Sequence, residues 1–117
     1  MMELVALLST GKGSWAQISG LIKQGSWEKV ILVGEQYAEK FKGDKPSEFI
    51  FVDFNQPIIN LKEDLMSKLR DKLQGTEVAL SIASGSGKEH MALIAALLCL
   101  PVGIRFMVLT KEGVKEL

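Results

Sequence analysis

Five short apolar runs punctuate the chain: Leu4 to Leu8, Val30 to Val33, Phe49 to Val52, Val78 to Ala83 and Val102 to Leu109, each bounded by turn-forming residues. Runs of this length suit strands rather than helices, and their continuous rather than alternating hydropathy predicts strands buried on both faces. Such strands need apolar layers above and below them, so the segments between the runs must supply the cover.

Those segments carry helical periodicity. Trp15, Ile18, Leu21 and Ile22 share one face, with Ser14 and Gln17 at capping-box spacing and Gly25 placed to end the helix. Ile58, Leu61, Leu65, Leu69 and Leu73 form the clearest stripe, while Lys62, Glu63, Lys68, Arg70 and Lys72 take the other sides. Asn60 and Glu63 repeat the capping spacing there, and Gly75 closes the segment. Residues Gln36 to Lys42 form a weaker helix, ended by the loop Gly43-Asp44-Lys45-Pro46. The segment Gly87 to Cys99 opens on a capping pair, Ser86 and Glu89, and is then apolar nearly all round.

The order βαβαβαβαβ predicts an α/β fold, a Rossmann-like open three-layer sandwich around a mainly parallel five-stranded sheet of order 3-2-1-4-5. The tail after Lys111-Glu112-Gly113 can add a short antiparallel edge strand, Val114 to Leu117. Length, and the lack of repeats or low-complexity stretches, predict one domain spanning residues 1–117.

Fourteen basic residues balance fourteen acidic ones, which argues against a protein held to duplex nucleic acid by counterion release. The N-terminus lacks the basic and long apolar regions of a signal peptide. The longest apolar run, Met91 to Val102, contains Pro101 and falls short of the roughly 20 residues that cross a bilayer. A soluble, cytoplasmic protein without membrane contact is expected. The single cysteine, Cys99, cannot form an internal disulfide, and its apolar setting reads as a buried small hydrophobe.

Two glycine-bearing loops stand out: Ser9-Thr10-Gly11-Lys12-Gly13-Ser14 after the first strand, and Ser84-Gly85-Ser86-Gly87-Lys88 after the fourth. In the expected sheet order these strands are neighbours, and the crevice between their C-terminal ends is the topological switch point where α/β folds bind ligands. Both loops lead into helix N-termini, where unpaired N–H groups and the helix dipole favour anions. Glycines admit a phosphate close to the backbone, hydroxyls add donors, and Lys12 and Lys88 add charge. Gly and Ser also occur in βα turns for conformational reasons alone. A P-loop is excluded because Ile82 and Glu89 stand where Gly and Ser or Thr are required. A dinucleotide fingerprint fails as well: Ala16 holds the third glycine's place, and Glu35 is a weak ribose acceptor.

His90 lies two residues past Lys88, where it is either a solvated surface residue or a phosphate contact and proton shuttle. It has no Cys or second His to share a metal with, so no metal and no cofactor are expected. Asp53 and Asn55 after the third strand read as turn and capping residues, with a pocket rim as the alternative. The 87–99 helix, apolar at Met91, Leu93, Ile94, Leu97 and Leu98, needs a second cover besides the sheet. A homodimer through this helix supplies it, and brings two copies of the 84–88 loop together.

The run Ser81-Ile82-Ala83-Ser84-Gly85-Ser86-Gly87-Lys88, followed by Met91-Ala92-Leu93-Ile94-Ala95-Ala96-Leu97, resembles the second motif of CARF domains, the CRISPR-associated Rossmann-fold sensors. The loop Ser9 to Ser14 resembles the family's first motif, and Asp53-Phe54-Asn55 before a long helix is similar to archaeal CARF transcription regulators. The resemblance covers nearly the whole chain. It implies a homodimer that binds a cyclic oligoadenylate, most often cyclic tetra-adenylate, across its twofold axis, with Thr10, Gly11, Ser14, Ser84, Gly85, Ser86, Gly87 and Lys88 lining the site. Some members cleave the ring without metal, a ribose 2′-OH attacking the adjacent phosphate. By that analogy Lys88 would stabilise the developing charge, and Ser9 or Ser14 would orient the phosphate. CARF domains usually drive an appended effector, and the sequence ends at Leu117 with neither a winged helix nor a ribonuclease. The alternatives are a small nucleotide- or phosphoester-processing enzyme that uses Lys88 and His90, and a structural module whose glycine loops are turns.

Overall fold

The computed structural model describes residues 2–10 and 12–117, those at 12 and 13 through their backbone alone. The elements in chain order are β1 (Met2–Leu8), α1 (Lys12–Gln24), β2 (Trp27–Gly34), a 3-10 turn (Gln36–Lys40), β3 (Glu48–Phe51), α2 (Ile58–Arg70), β4 (Glu77–Ser81), α3 (Gly87–Cys99), β5 (Gly103–Thr110) and β6 (Gly113–Glu116). The strands form one six-stranded mixed sheet in the order β3-β2-β1-β4-β5-β6. Pairing is parallel from β3 to β5 and antiparallel between β5 and β6.

The continuous apolar runs explain the middle of this sheet. Leu4, Val5, Ala6, Leu7 and Leu8 are all fully buried. Side chains alternate across the pleat, so one strand feeds two cores. Val5 and Leu7, with Ile31, Val33, Val78 and Leu80, pack under α2 and α3, against Leu61, Leu65, Leu69, Leu93 and Leu97. Leu4, Ala6 and Leu8, with Val30, Leu32 and Ala79, pack against Ile18, Leu21 and Ile22 of α1 and against Ala38 and Phe41. Each fully buried Leu or Ile contributes about 1.5–3 kcal/mol by leaving water. The layers are therefore helix, sheet, helix.

Several local expectations are corrected. β5 is half-exposed along its length and is not buried on both faces, because it carries Arg105, which ion-pairs with Glu77 at 3.5 Å and Glu116 at 3.4 Å on the solvent side. The segment expected as a helix over 36–42 is a 3-10 turn over Gln36–Lys40, and Phe41 is already extended. Ser14 sits inside the first turn of α1 rather than at its cap. Pro57 opens α2 in an extended conformation, so Asn60 falls inside the helix, which ends at Arg70, well before Gly75. Ile58, expected on the buried stripe, is exposed. Cys99 is exposed as well: a helix apolar nearly all round does not announce which side faces out.

The tail turns back through Lys111 and Glu112. Gly113 takes φ +108°, the left-handed conformation that suits glycine, and Thr110 Oγ1 donates to the Gly113 carbonyl at 2.9 Å. Among the described residues no helix is long and apolar enough to cross a membrane.

Candidate functional site

Ala6 of β1 pairs with Ser81 of β4, so Ser9 and Ser84, each three residues further on, arrive together at the same sheet end. There the Ser84 hydroxyl accepts the Ser9 N–H at 2.8 Å. Both serines are buried, and this bond joins two loops 75 residues apart in sequence. The Ser9 carbonyl in turn accepts the indole N–H of Trp15 at 2.8 Å, and the Trp15 ring stacks on Tyr37 with centroids 6.3 Å apart.

The 84–88 loop is braced from within. Gly85 has φ +101°. The Ser84 carbonyl bonds to His90 Nε2 at 2.8 Å, and since a carbonyl can only accept, Nε2 carries the proton in that contact. His90 is therefore a half-buried turn brace rather than a solvated surface residue. The Glu89 carboxylate accepts the Ser86 N–H at 2.9 Å, closing the predicted capping box on α3. The first intrahelical bond of α3 runs from His90 N to Ser86 O, and the Glu89 N–H is capped by the Ser86 side chain. Helix geometry then leaves the Gly87 and Lys88 N–H groups without intrahelical acceptors. Ser86, Gly87 and Lys88 are exposed. The Glu89 carboxylate already offsets part of the positive end of the helix dipole at this point.

Lys88 is placed differently from expectation. Its ammonium donates to the Phe54 carbonyl in the β3–α2 connection, at 2.9 Å. The N–H of the same residue is held from the other side by Glu35 Oε2 at 3.0 Å. The Phe54 ring is buried in the core beside Val52 and Leu61. Asp53 Oδ1 accepts the Asn55 N–H at 2.9 Å, an Asx turn, as its turn-residue reading implies. Glu35, weighed as a ribose acceptor, thus has a backbone N–H as its partner.

Of the remaining candidates, Thr10 is exposed beside Ser9, and Ser14 is half-buried in the first turn of α1. Gly11 and the Lys12 side chain lie outside the described residues. Beyond these, a groove of about 670 Å³ opens at the C-terminal ends of β2 and β3, lined by residues including Glu35, Tyr37, Asp53, Gln56, Asp64 and Lys68. Sequence reasoning reached it through Asp53 as a rim residue and Glu35 as a weak ribose acceptor, but missed Tyr37 and Asp64, which lie on elements read for their structural roles. Among the described residues no group of three or more His, Cys, Asp or Glu is arranged to hold a metal. The chain matches no family model and no curated protein.

Proposed function

We propose that the chain is a ligand-binding module of CARF type, which as a homodimer binds a cyclic oligoadenylate, cyclic tetra-adenylate being the first candidate. The observation that carries this reading is the 2.8 Å bond from Ser9 N to Ser84 Oγ, which ties the two glycine loops into one surface at the C-terminal sheet end. Beside that bond stand exposed Thr10, Ser86, Gly87 and Lys88, with N–H donors of the kind that cradle phosphate at helix N-termini. The outward side of α3, with Met91 and Leu98 exposed, supports pairing through that helix. The chain's formal net charge is zero, so two copies meet without net repulsion, and local lysines suffice for a small ring of phosphates.

A melting curve with and without cyclic tetra-adenylate tests the proposal. At 100 times its dissociation constant the ligand should stabilise the fold by about 2.7 kcal/mol. No shift with any cyclic oligoadenylate overturns it. Ring cleavage would need the Lys88 ammonium at a phosphate instead of at the Phe54 carbonyl. Chromatography of the incubated ligand decides that point: linear product from the native chain and none from Lys88→Ala means cleavage, and an intact ring from both means binding alone.

A further inference from the structure

The two peptide groups that flank the Phe54 Cα are gripped by opposite charges from two different parts of the molecule. Glu35, just past β2, takes the Phe54 N–H at 3.0 Å, and Lys88, in the first turn of α3, gives to the Phe54 carbonyl at 2.9 Å. The two grips are not equivalent. Glu35 reaches Phe54 from the neighbouring strand, whereas Lys88 reaches across from the candidate anion loop. The rest of that loop is fixed without Lys88: Ser84 holds Ser9, His90 holds the Ser84 carbonyl, and Glu89 holds Ser86. Among the described residues of the 84–88 loop, Lys88 is the one carrying a positive charge, and its ammonium rests on a neutral carbonyl. A phosphate beside the α3 N-terminus is a stronger partner for an ammonium than a carbonyl is.

We infer that Lys88 is a two-position contact: bound to the Phe54 carbonyl in the free protein, and to an anionic ligand when the 84–88 loop is occupied. The inference rests on the ligand reading above and adds a consequence to it. Occupancy of the loop releases one side of the β3–α2 connection, which carries Val52, Asp53 and Gln56 into the lining of the 670 Å³ groove and leads directly into Ile58 of α2. The release is local, because the Phe54 ring stays buried in the core and Glu35 keeps the N–H side. A charge change at one loop is thereby transmitted to a second surface by a named pair of atoms.

Amide hydrogen exchange read by NMR, alongside calorimetry, tests this on the full chain. Without ligand, Lys88→Met should speed exchange at Asn55, whose N–H shares a peptide group with the Phe54 carbonyl, about threefold to tenfold, the loss expected for one hydrogen bond at a partly exposed site. Leu65 and Leu69 amides in α2 should not change, and Lys88→Arg should keep the native rates. Cyclic tetra-adenylate added to the native chain should produce the same acceleration at Asn55, and should add nothing in Lys88→Met. Binding by calorimetry with unchanged exchange at Asn55 overturns the switch and leaves the ligand reading standing. Absence of calorimetric binding overturns both. Native exchange rates at Asn55 in Lys88→Met overturn the resting contact itself.

Discussion

At Gly85 the backbone takes φ +101°, and a β-carbon built there would lie 2.5 Å from Leu7 Cδ2 and 2.7 Å from Glu89 Oε1. The first fact disfavours any L side chain, and the second threatens both the core beneath the loop and the capping box above it. Gly85→Ala should therefore destabilise the fold by about 1–3 kcal/mol, the usual range for a non-glycine residue forced into a sparsely populated conformation. Urea denaturation measures it, and a midpoint unchanged from the native chain would show that the turn adapts. The sequence flags this glycine as one that admits a ligand, whereas the structure gives it a conformational and packing reason that holds with no ligand present. Lys88 has a resting partner that is hidden for a related cause. A lysine beside glycines suggests an anion, and nothing in the local sequence reveals that Phe54, 34 residues earlier, offers a carbonyl within reach.

Among the elements, what could be read in advance follows from burial. Strands whose residues fill both cores, such as β1 and β2, advertise themselves by unbroken hydrophobicity. Helix ends were harder, because Ser14-Gln17 and Asn60-Glu63 have capping spacing but lie within helices that begin earlier. Polar residues inside strands carried the least signal and hold a joint of the fold. Glu3 of β1 is buried, and its carboxylate accepts the Gln74 N–H at 3.0 Å and the Gly75 N–H at 2.8 Å. Lys29 of β2 stands 3.9 Å away and donates at 2.7 Å to the Lys72 carbonyl. Together they pin the α2–β4 connection to the N-terminal end of the sheet. Glu3→Ala would strip the acceptor from two backbone donors and should cost about 1–3 kcal/mol. Thermal unfolding checks this, with Glu3→Gln, which keeps one carbonyl acceptor, falling between the two. Equal stability of Glu3→Ala and the native chain would mean that water replaces the carboxylate.

On the scale of the whole molecule, the surface over α2 and α3 decides whether one chain is the working unit. Ile59, Met91 and Leu98 are 71, 65 and 57% exposed, and an apolar groove of about 190 Å³ runs between the two helices from Ile58 to Ala95. A helix that keeps Ala92, Leu93, Ala96 and Leu97 buried while showing Met91 and Leu98 to water has two apolar sides, and one sheet covers one of them. In the proposed dimer the second side is covered by its own copy, which also sets two 84–88 loops beside each other. Met91→Glu combined with Leu98→Glu would place four carboxylates across that axis. Because both side chains are exposed in the single chain, the stability of the isolated fold should change little, within about 0.5 kcal/mol per site. Light scattering should give the native chain twice its 12.9 kDa mass and the double variant 12.9 kDa. Calorimetry should find cyclic tetra-adenylate binding lost in the variant, although every residue of the 84–88 loop is unchanged. A native chain that stays at 12.9 kDa, or a variant that binds ligand as the native chain does, would separate the loops from the helix and overturn the shared site.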